Sequence, residues 1–206
     1  MFIRGWKRAM ENGDLELAVA EGSMGSAPVE PARAPGLSRL LGYDERLLLG
    51  FRRLHGPLRT RLARFLTGLG DAKSVAAIAL ALLFAGSGRT HHLGLRLATG
   101  AGVATLLAQA LKRGLSRARP TSAIEGFEAL ADDPDAFSFP SGHTAAAFGA
   151  AIALLGEPAL AGPVALLCAS GIGLSRVYLG AHYPLDVLAG GLIGSLAGAA
   201  ARLLVP

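Results

Sequence analysis

Three clusters of ionisable residues stand out in a chain otherwise poor in charge. The first is Lys112-Arg113-Gly114-Leu115-Ser116-Arg117-Ala118-Arg119-Pro120; the second is Pro140-Ser141-Gly142-His143; the third is Ser175-Arg176 followed by His182 and Asp186. Their types point to one chemistry. Long cations such as Lys112, Arg119 and Arg176, brought to one point, hold a multiply charged anion. Ser141 and Gly142 open an apolar run, and a helix start there would add free N–H groups that attract the same anion. Two histidines can supply a nucleophile and a proton donor, and a carboxylate can orient one of them. The sum is phosphoryl transfer in which cations, rather than a metal, spread the charge of the equatorial oxygens.

The elements that must position these residues are apolar. Of 206 residues, 51% are apolar and only 17% charged, against about a quarter charged in an ordinary soluble domain. Mean hydropathy is +0.44. One cysteine excludes an internal disulfide framework. From Asp71 onward, charge-free runs occupy 74–88, 97–111, 136–156, 158–175 and 187–201. Several sit near the lower limit of roughly 17 residues for a membrane span, and flanking Lys and Arg can extend them by snorkelling. Glycines within them (Gly100, Gly102, Gly190, Gly191, Gly194, Gly198) allow close helix contact in lipid. The fold expected is all-α: a polytopic membrane helical bundle of about five spanning helices. Topology then brings the clusters together. If the second run ends at one membrane face, the third starts there, the fourth returns there and the fifth starts there. Lys112, Arg119, His143, Arg176, His182 and Asp186 all fall at that face.

Before this domain, residues 1–36 read as a flexible tail, and no early apolar run suggests a cleavable signal. Residues 37–70 are basic and amphipathic. Leu58, Leu62, Phe65, Leu66 and Leu69 share one helical face, with Arg59, Arg61 and Arg64 largely off it, the pattern of a helix lying in the membrane interface or packed on the bundle. Residues 71–206 form the membrane domain.

Lys112-x6-Arg119-Pro120, Pro140-Ser141-Gly142-His143 and Ser175-Arg176-x5-His182-x3-Asp186 together resemble the three signatures of the type 2 phosphatidic acid phosphatase superfamily, with every signature position filled and in order. That superfamily joins membrane lipid phosphatases to vanadium haloperoxidases. The resemblance implies a metal-independent phosphatase with no cofactor. In it His182 would be the nucleophile, passing through a phosphohistidine, with Asp186 orienting its other ring nitrogen. His143 would serve as general acid and then base. Lys112, Arg119, Arg176, Ser141 and the Gly142 N–H would bind the phosphoryl oxygens. Pro184 favours a helix start, which puts Asp186 in a first turn within reach of His182. The substrate would be a lipid phosphomonoester or pyrophosphate: phosphatidic acid, phosphatidylglycerol phosphate, or a polyprenyl carrier such as undecaprenyl diphosphate. A phosphotransferase would use the same first half-reaction, and a lipid-binding protein with a dead site would have no need of the set.

The other polar residues have plainer expectations. Arg113 and Arg117 read as membrane anchors or head-group contacts, and the acidic loop over 113–139 reads as solvated. His91 and His92 fall at the opposite face as solvated residues, and Cys168 as a small buried apolar one. A balance of 20 Lys+Arg to 15 Asp+Glu, giving +5, fits lipid phosphates; nucleic acid is disfavoured because long stretches are uncharged. Eleven Lys and Arg lie in residues 1–70, against Arg89, Arg96 and Arg202 at the far face. With five spans, this charge places the site on the cytoplasmic side. A sixth span hidden in 37–70 would place it outside.

Overall fold

The computed structural model describes residues 35–85, 88–131, 135–157 and 161–205, so the tail expected over 1–36 lies almost wholly outside the described residues. Among them run eight helices: α1 Pro35–Arg52, α2 Pro57–Leu69, α3 Ala72–Ala85, α4 Arg89–Leu115, α5 Pro120–Ala123, α6 Gly142–Ala153, α7 Ala161–Tyr178 and α8 Pro184–Leu204. The architecture below is that of the compact unit Arg39–Pro206. Proline opens α2, α5 and α8, where its missing N–H has no intrahelical partner to lose. The described residues form an all-α helical bundle, with one bridge among them, between Ala118 and Phe137, outside the helices.

The five apolar runs became α3, α4, α6, α7 and α8. Three of these helices (α4, α7 and α8) are long and apolar enough to cross a membrane. A bent pair, α2 with α3, qualifies as a fourth crossing broken by 55°. Of the about five spans expected, three or up to four thus qualify by length and apolarity among the described residues, and two helices differ in length from their charge-free runs. α4 extends well past its charge-free run because Arg89, Arg96, Lys112 and Arg113 occupy its ends, where long cations reach the interface. α6 is shorter than its run, at 12 residues or about 18 Å of helix, well short of a hydrocarbon layer of about 30 Å. The start of the run is not helical: Ser138 N–H donates to the Arg117 carbonyl at 2.8 Å and leads the chain into the site. α6 does not face lipid alone, since Thr144, Ala145, Ala147, Ala151 and Ala153 are all buried.

Glycine sets how closely α6 and α8 run. The two helices are parallel, and α8 places a glycine against α6 at each turn. A Cβ on Gly190 would lie 2.5 Å from the Ser141 carbonyl oxygen, on Gly194 2.3 Å from that of Ala145, and on Gly198 2.5 Å from that of Gly149. Gly149 meets α4 in the same way, 2.5 Å from Gly100. Such contacts let backbones approach where lipid offers no hydrophobic drive. A Cβ on Gly102, by contrast, would have nothing within 4 Å, and one on Gly191 would meet only the Phe148 ring, at 3.8 Å. The ladder brings Ser141, at the start of α6, beside Gly190 in the second turn of α8, and so aligns the second and third clusters.

The 37–70 segment folds as two helices rather than one. α1 buries Leu48 and Asp44, and α2 buries Ala63 and turns Leu66 and Leu69 toward α7. Leu58, Leu62 and Phe65 of the expected stripe stay exposed. α2 is thus packed on the bundle by one edge and presents an apolar edge outward. α1 is not among the helices that qualify as spans, and both helices lie at the end of the bundle where α4 and α7 finish.

Candidate active site

Each cluster is held by a helix end. Lys112 is in the last turn of α4 and Arg119 caps the start of α5. Ser141 is the N-cap of α6, followed by Gly142 and His143. Arg176 is in the last turn of α7. The chain then turns sharply, with the Ala181 and His182 N–H groups both donating to the Arg176 carbonyl, and α8 starts at Pro184 with Asp186 in its first turn.

Lys112, Arg119, Gly142, His143 and His182 line one cavity of about 330 Å³, together with Asp135 and the Gly70–Lys73 corner. Ser141, Arg176 and Asp186 stand behind that wall, each nearly or wholly buried. His182 is the centre. Its Nδ1 faces Asp186 Oδ2 at 3.6 Å and its Nε2 lies 3.5 Å from Arg119 Nη1. Burial, with the positive charges of Arg176 and Arg119, outweighs the Asp186 contact and pulls the His182 pKa from 6.5 down to about 4. The ring is therefore neutral at neutral pH, and its geometry favours the proton on Nδ1 and a lone pair on Nε2.

Asp186 is fastened on all sides. Its Oδ2 accepts the Tyr183 N–H at 2.9 Å, its carbonyl accepts the Ser141 N–H at 3.0 Å, and its Oδ1 takes Arg117 Nη1 at 2.7 Å. Arg117 is the main correction to the reading of single residues. Instead of anchoring in lipid it bridges two buried carboxylates, reaching Asp44 Oδ2 with Nη2 at 2.7 Å, and it stacks over the Tyr183 ring at 3.9 Å. Asp44 Oδ1 in turn accepts the Leu185 N–H at 2.9 Å. A guanidinium can make this double bridge because its donors form a planar fork.

The acidic loop is also not merely solvated. Asp135 Oδ2 is 2.6 Å from Lys112 Nζ, and its other oxygen pairs with Arg119 Nη2. Burial tends to raise the Asp135 carboxyl, but the hydrogen bonds and charges of Lys112 and Arg119 outweigh it and hold its pKa below the usual carboxylate value. Arg119 is fixed further by the Asp135 and Ala181 carbonyls, at 2.7 and 2.8 Å. Arg176 Nη1 donates to Thr67 Oγ1 of α2 at 2.8 Å. Asp44, Thr67 and Asp135 carried no signal in the sequence beyond their polarity. Arg113 is exposed and His91 and His92 are exposed at the far end, as expected, while Cys168 is half-buried rather than buried. Among the described residues no group of three His, Cys, Asp or Glu has the geometry to hold a metal.

A helical bundle with a cationic cavity and two histidines at one end has the geometry to hold a phosphate group. The model of the PAP2 superfamily matches residues 93–206, and the chain belongs to that superfamily. It is 34% identical over 122 residues to an undecaprenyl-diphosphatase of Sulfolobus acidocaldarius, covering 59% of this chain and 58% of that protein. It is 35% identical over 150 residues to a lipid A 1-phosphatase of Rhizobium etli, covering 63% and 64%. The chain thus spans about three fifths of the length of these curated relatives. The crystal structure of a transmembrane PAP2-type phosphatidylglycerolphosphate phosphatase from Bacillus subtilis matches at a TM-score of 0.67 and 26% identity, over 81% of this chain and 86% of that one. The protein is accordingly an integral membrane helical bundle.

The depressed His182 pKa has a consequence for stability. Between pH 6.5 and about 4 the unfolded chain takes up a proton on this residue that the folded chain refuses, so folding stability falls as pH drops through that window. Thermal midpoints in detergent should decline from pH 6.5 to 4 in the wild type and less steeply in His182→Gln. An identical slope in the two proteins would contradict a buried neutral His182.

Proposed function

We propose that the protein is a membrane lipid phosphatase that hydrolyses a phosphomonoester or pyrophosphate of a lipid. The observation that carries this reading is the convergence of Lys112, Arg119, His143 and His182 on one cavity at the end of a membrane bundle. Lys112 and Arg119 receive the phosphoryl oxygens, sharing their charge between the substrate and Asp135. Ser141 and the Gly142 N–H add the start of α6, and Arg176 supplies positive charge behind His182. His182 Nε2 attacks phosphorus while Asp186 holds the Nδ1 proton. The bond from phosphorus to the lipid oxygen breaks, and that oxygen takes a proton from His143. In the second half-reaction His143 takes a proton from water, the water oxygen attacks phosphorus and the phosphorus–nitrogen bond breaks. Phosphate leaves and both histidines regain their starting states.

The names of the relatives support a lipid phosphate as substrate. Purified full-length protein in detergent should release inorganic phosphate from at least one of phosphatidic acid, phosphatidylglycerol phosphate and undecaprenyl diphosphate. Release should persist in EDTA and be inhibited by orthovanadate, which mimics five-coordinate phosphorus. No release from any of the three, or loss in EDTA restored by Mg²⁺, would contradict the reading.

We place the site at the cytoplasmic face. Among the described residues, the arginines of α1 and α2 lie at the same end as the site, and α1 adds no crossing that would reverse it; cytoplasmic ends of spans carry the excess of Lys and Arg. In a Cys168→Ala background, a cysteine replacing exposed Ser122 should react with an impermeant maleimide only after cells are permeabilised. Labelling from outside intact cells would reverse the orientation.

A further inference from the structure

One wall of the cavity comes from no signature. α2 ends at Leu69, α3 begins at Ala72, and the chain bends by 55° between them. Asp71 stands at this corner with its Oδ1 2.7 Å from His143 Nε2. The corner is pressed hard into the bundle: a Cβ on Gly70 would lie 2.6 Å from Ile172 Cγ2 of α7 and 3.5 Å from His143 Cδ2. The Asp71 carbonyl accepts the Val75 N–H at 3.0 Å, fixing its backbone to the first turn of α3. Thr67, one turn earlier, is tied to Arg176. Packing of α2 on α7 therefore sets where the Asp71 carboxylate meets the His143 ring.

From this contact we infer that Asp71 is a positioning residue for His143, holding the ring by Nε2 so that Nδ1 is the nitrogen that exchanges a proton with the lipid oxygen and then with water. The inference rests on the general acid–base role of His143. Each histidine of the cavity then has its own carboxylate, buried Asp186 for His182 and half-open Asp71 for His143. Asp71 lies outside the residues that the superfamily model matches. In the first half-reaction the electron pair of the breaking phosphorus–oxygen bond takes the Nδ1 proton of His143, while the Nε2 proton stays on the ring, held by Asp71. In the second, the water proton returns to Nδ1. A carboxylate that orients a histidine in this way does not itself take the proton, and fixing the ring places the transferred proton where the departing oxygen forms.

The leaving group reads out this role, because an aryl oxide departs with little protonation and a lipid alkoxide does not. Full-length wild type, Asp71→Asn, Asp71→Glu, His143→Ala and the Asp71→Asn/His143→Ala double variant should be compared on p-nitrophenyl phosphate and on the best lipid phosphate of the panel above. Asp71→Asn should lower kcat on the lipid about ten-fold or more, a part of the roughly 10²–10⁴-fold that general acid catalysis contributes, and change aryl turnover by less than about three-fold. Asp71→Glu should recover part of the loss, and Asp71→Asn should cost nothing further once His143 is alanine. Equal losses on both substrates, additive losses in the double variant, or faster turnover by Asp71→Asn would overturn the inference; the last would mean that the carboxylate competes with substrate for the ring. If His143→Ala itself slows both substrates equally, the acid–base role of His143 fails and the inference falls with it. If only Asp71→Asn lacks selectivity, the inference fails alone.

Discussion

A neutral imidazole held between a buried carboxylate and a buried guanidinium is the arrangement on which the rest of the protein depends. His182 is 1% exposed, and a charged ring in that place would carry a heavy desolvation cost beside two arginines. Keeping it neutral is what leaves a lone pair on Nε2. Keeping Asp186 charged beside it requires more partners than His182 can offer, and Arg117, Tyr183 N–H and the start of α8 provide them. Asp44 in turn would be an unbalanced buried anion without Arg117, and removing one partner of such a pair is far more costly than removing both. The chain Asp44–Arg117–Asp186–His182 therefore links α1, the segment after α4 and the start of α8 into one unit, and it explains why a basic amphipathic helix is docked at this end of the bundle.

Packing of the helices sets the precision of that unit. Three glycines of α8 bring its backbone against α6, rung by rung from Ser141 to Gly149, so the Ser141–His143 turn and the His182–Asp186 turn share one frame. α6 can be short because its neighbours, rather than lipid, surround it. The cavity lies between this frame and the Gly70–Asp71 corner, with Lys112 and Arg119 in its wall.

What was legible in the sequence was periodic or clustered. The apolar runs gave the helices, their order put six ionisable residues at one end, and Pro184 with Asp186 gave a helix start within reach of His182. What was not legible depended on contacts between distant segments. Arg117 reads as an anchor because nothing local reveals Asp44, 73 residues earlier, as its partner. Asp135 reads as solvated in a loop of other acids, and only the fold places it on Lys112 and Arg119. Helix lengths went astray because charge-free runs measure the apolar layer, whereas α4 carries charges at its ends and the run before α6 includes the strand-like entry to the site.

The central claim is that His182 Nε2 attacks phosphorus, and a trapped intermediate tests it most directly. Protein quenched during turnover of a lipid phosphate should carry phosphate that is stable in alkali and labile in acid, as phosphoramidates are, located by mass spectrometry on His182. The label should be absent from His182→Gln and retained by His143→Ala. Turnover with no phosphoenzyme under rapid quench, or a label on any other residue, would contradict the account.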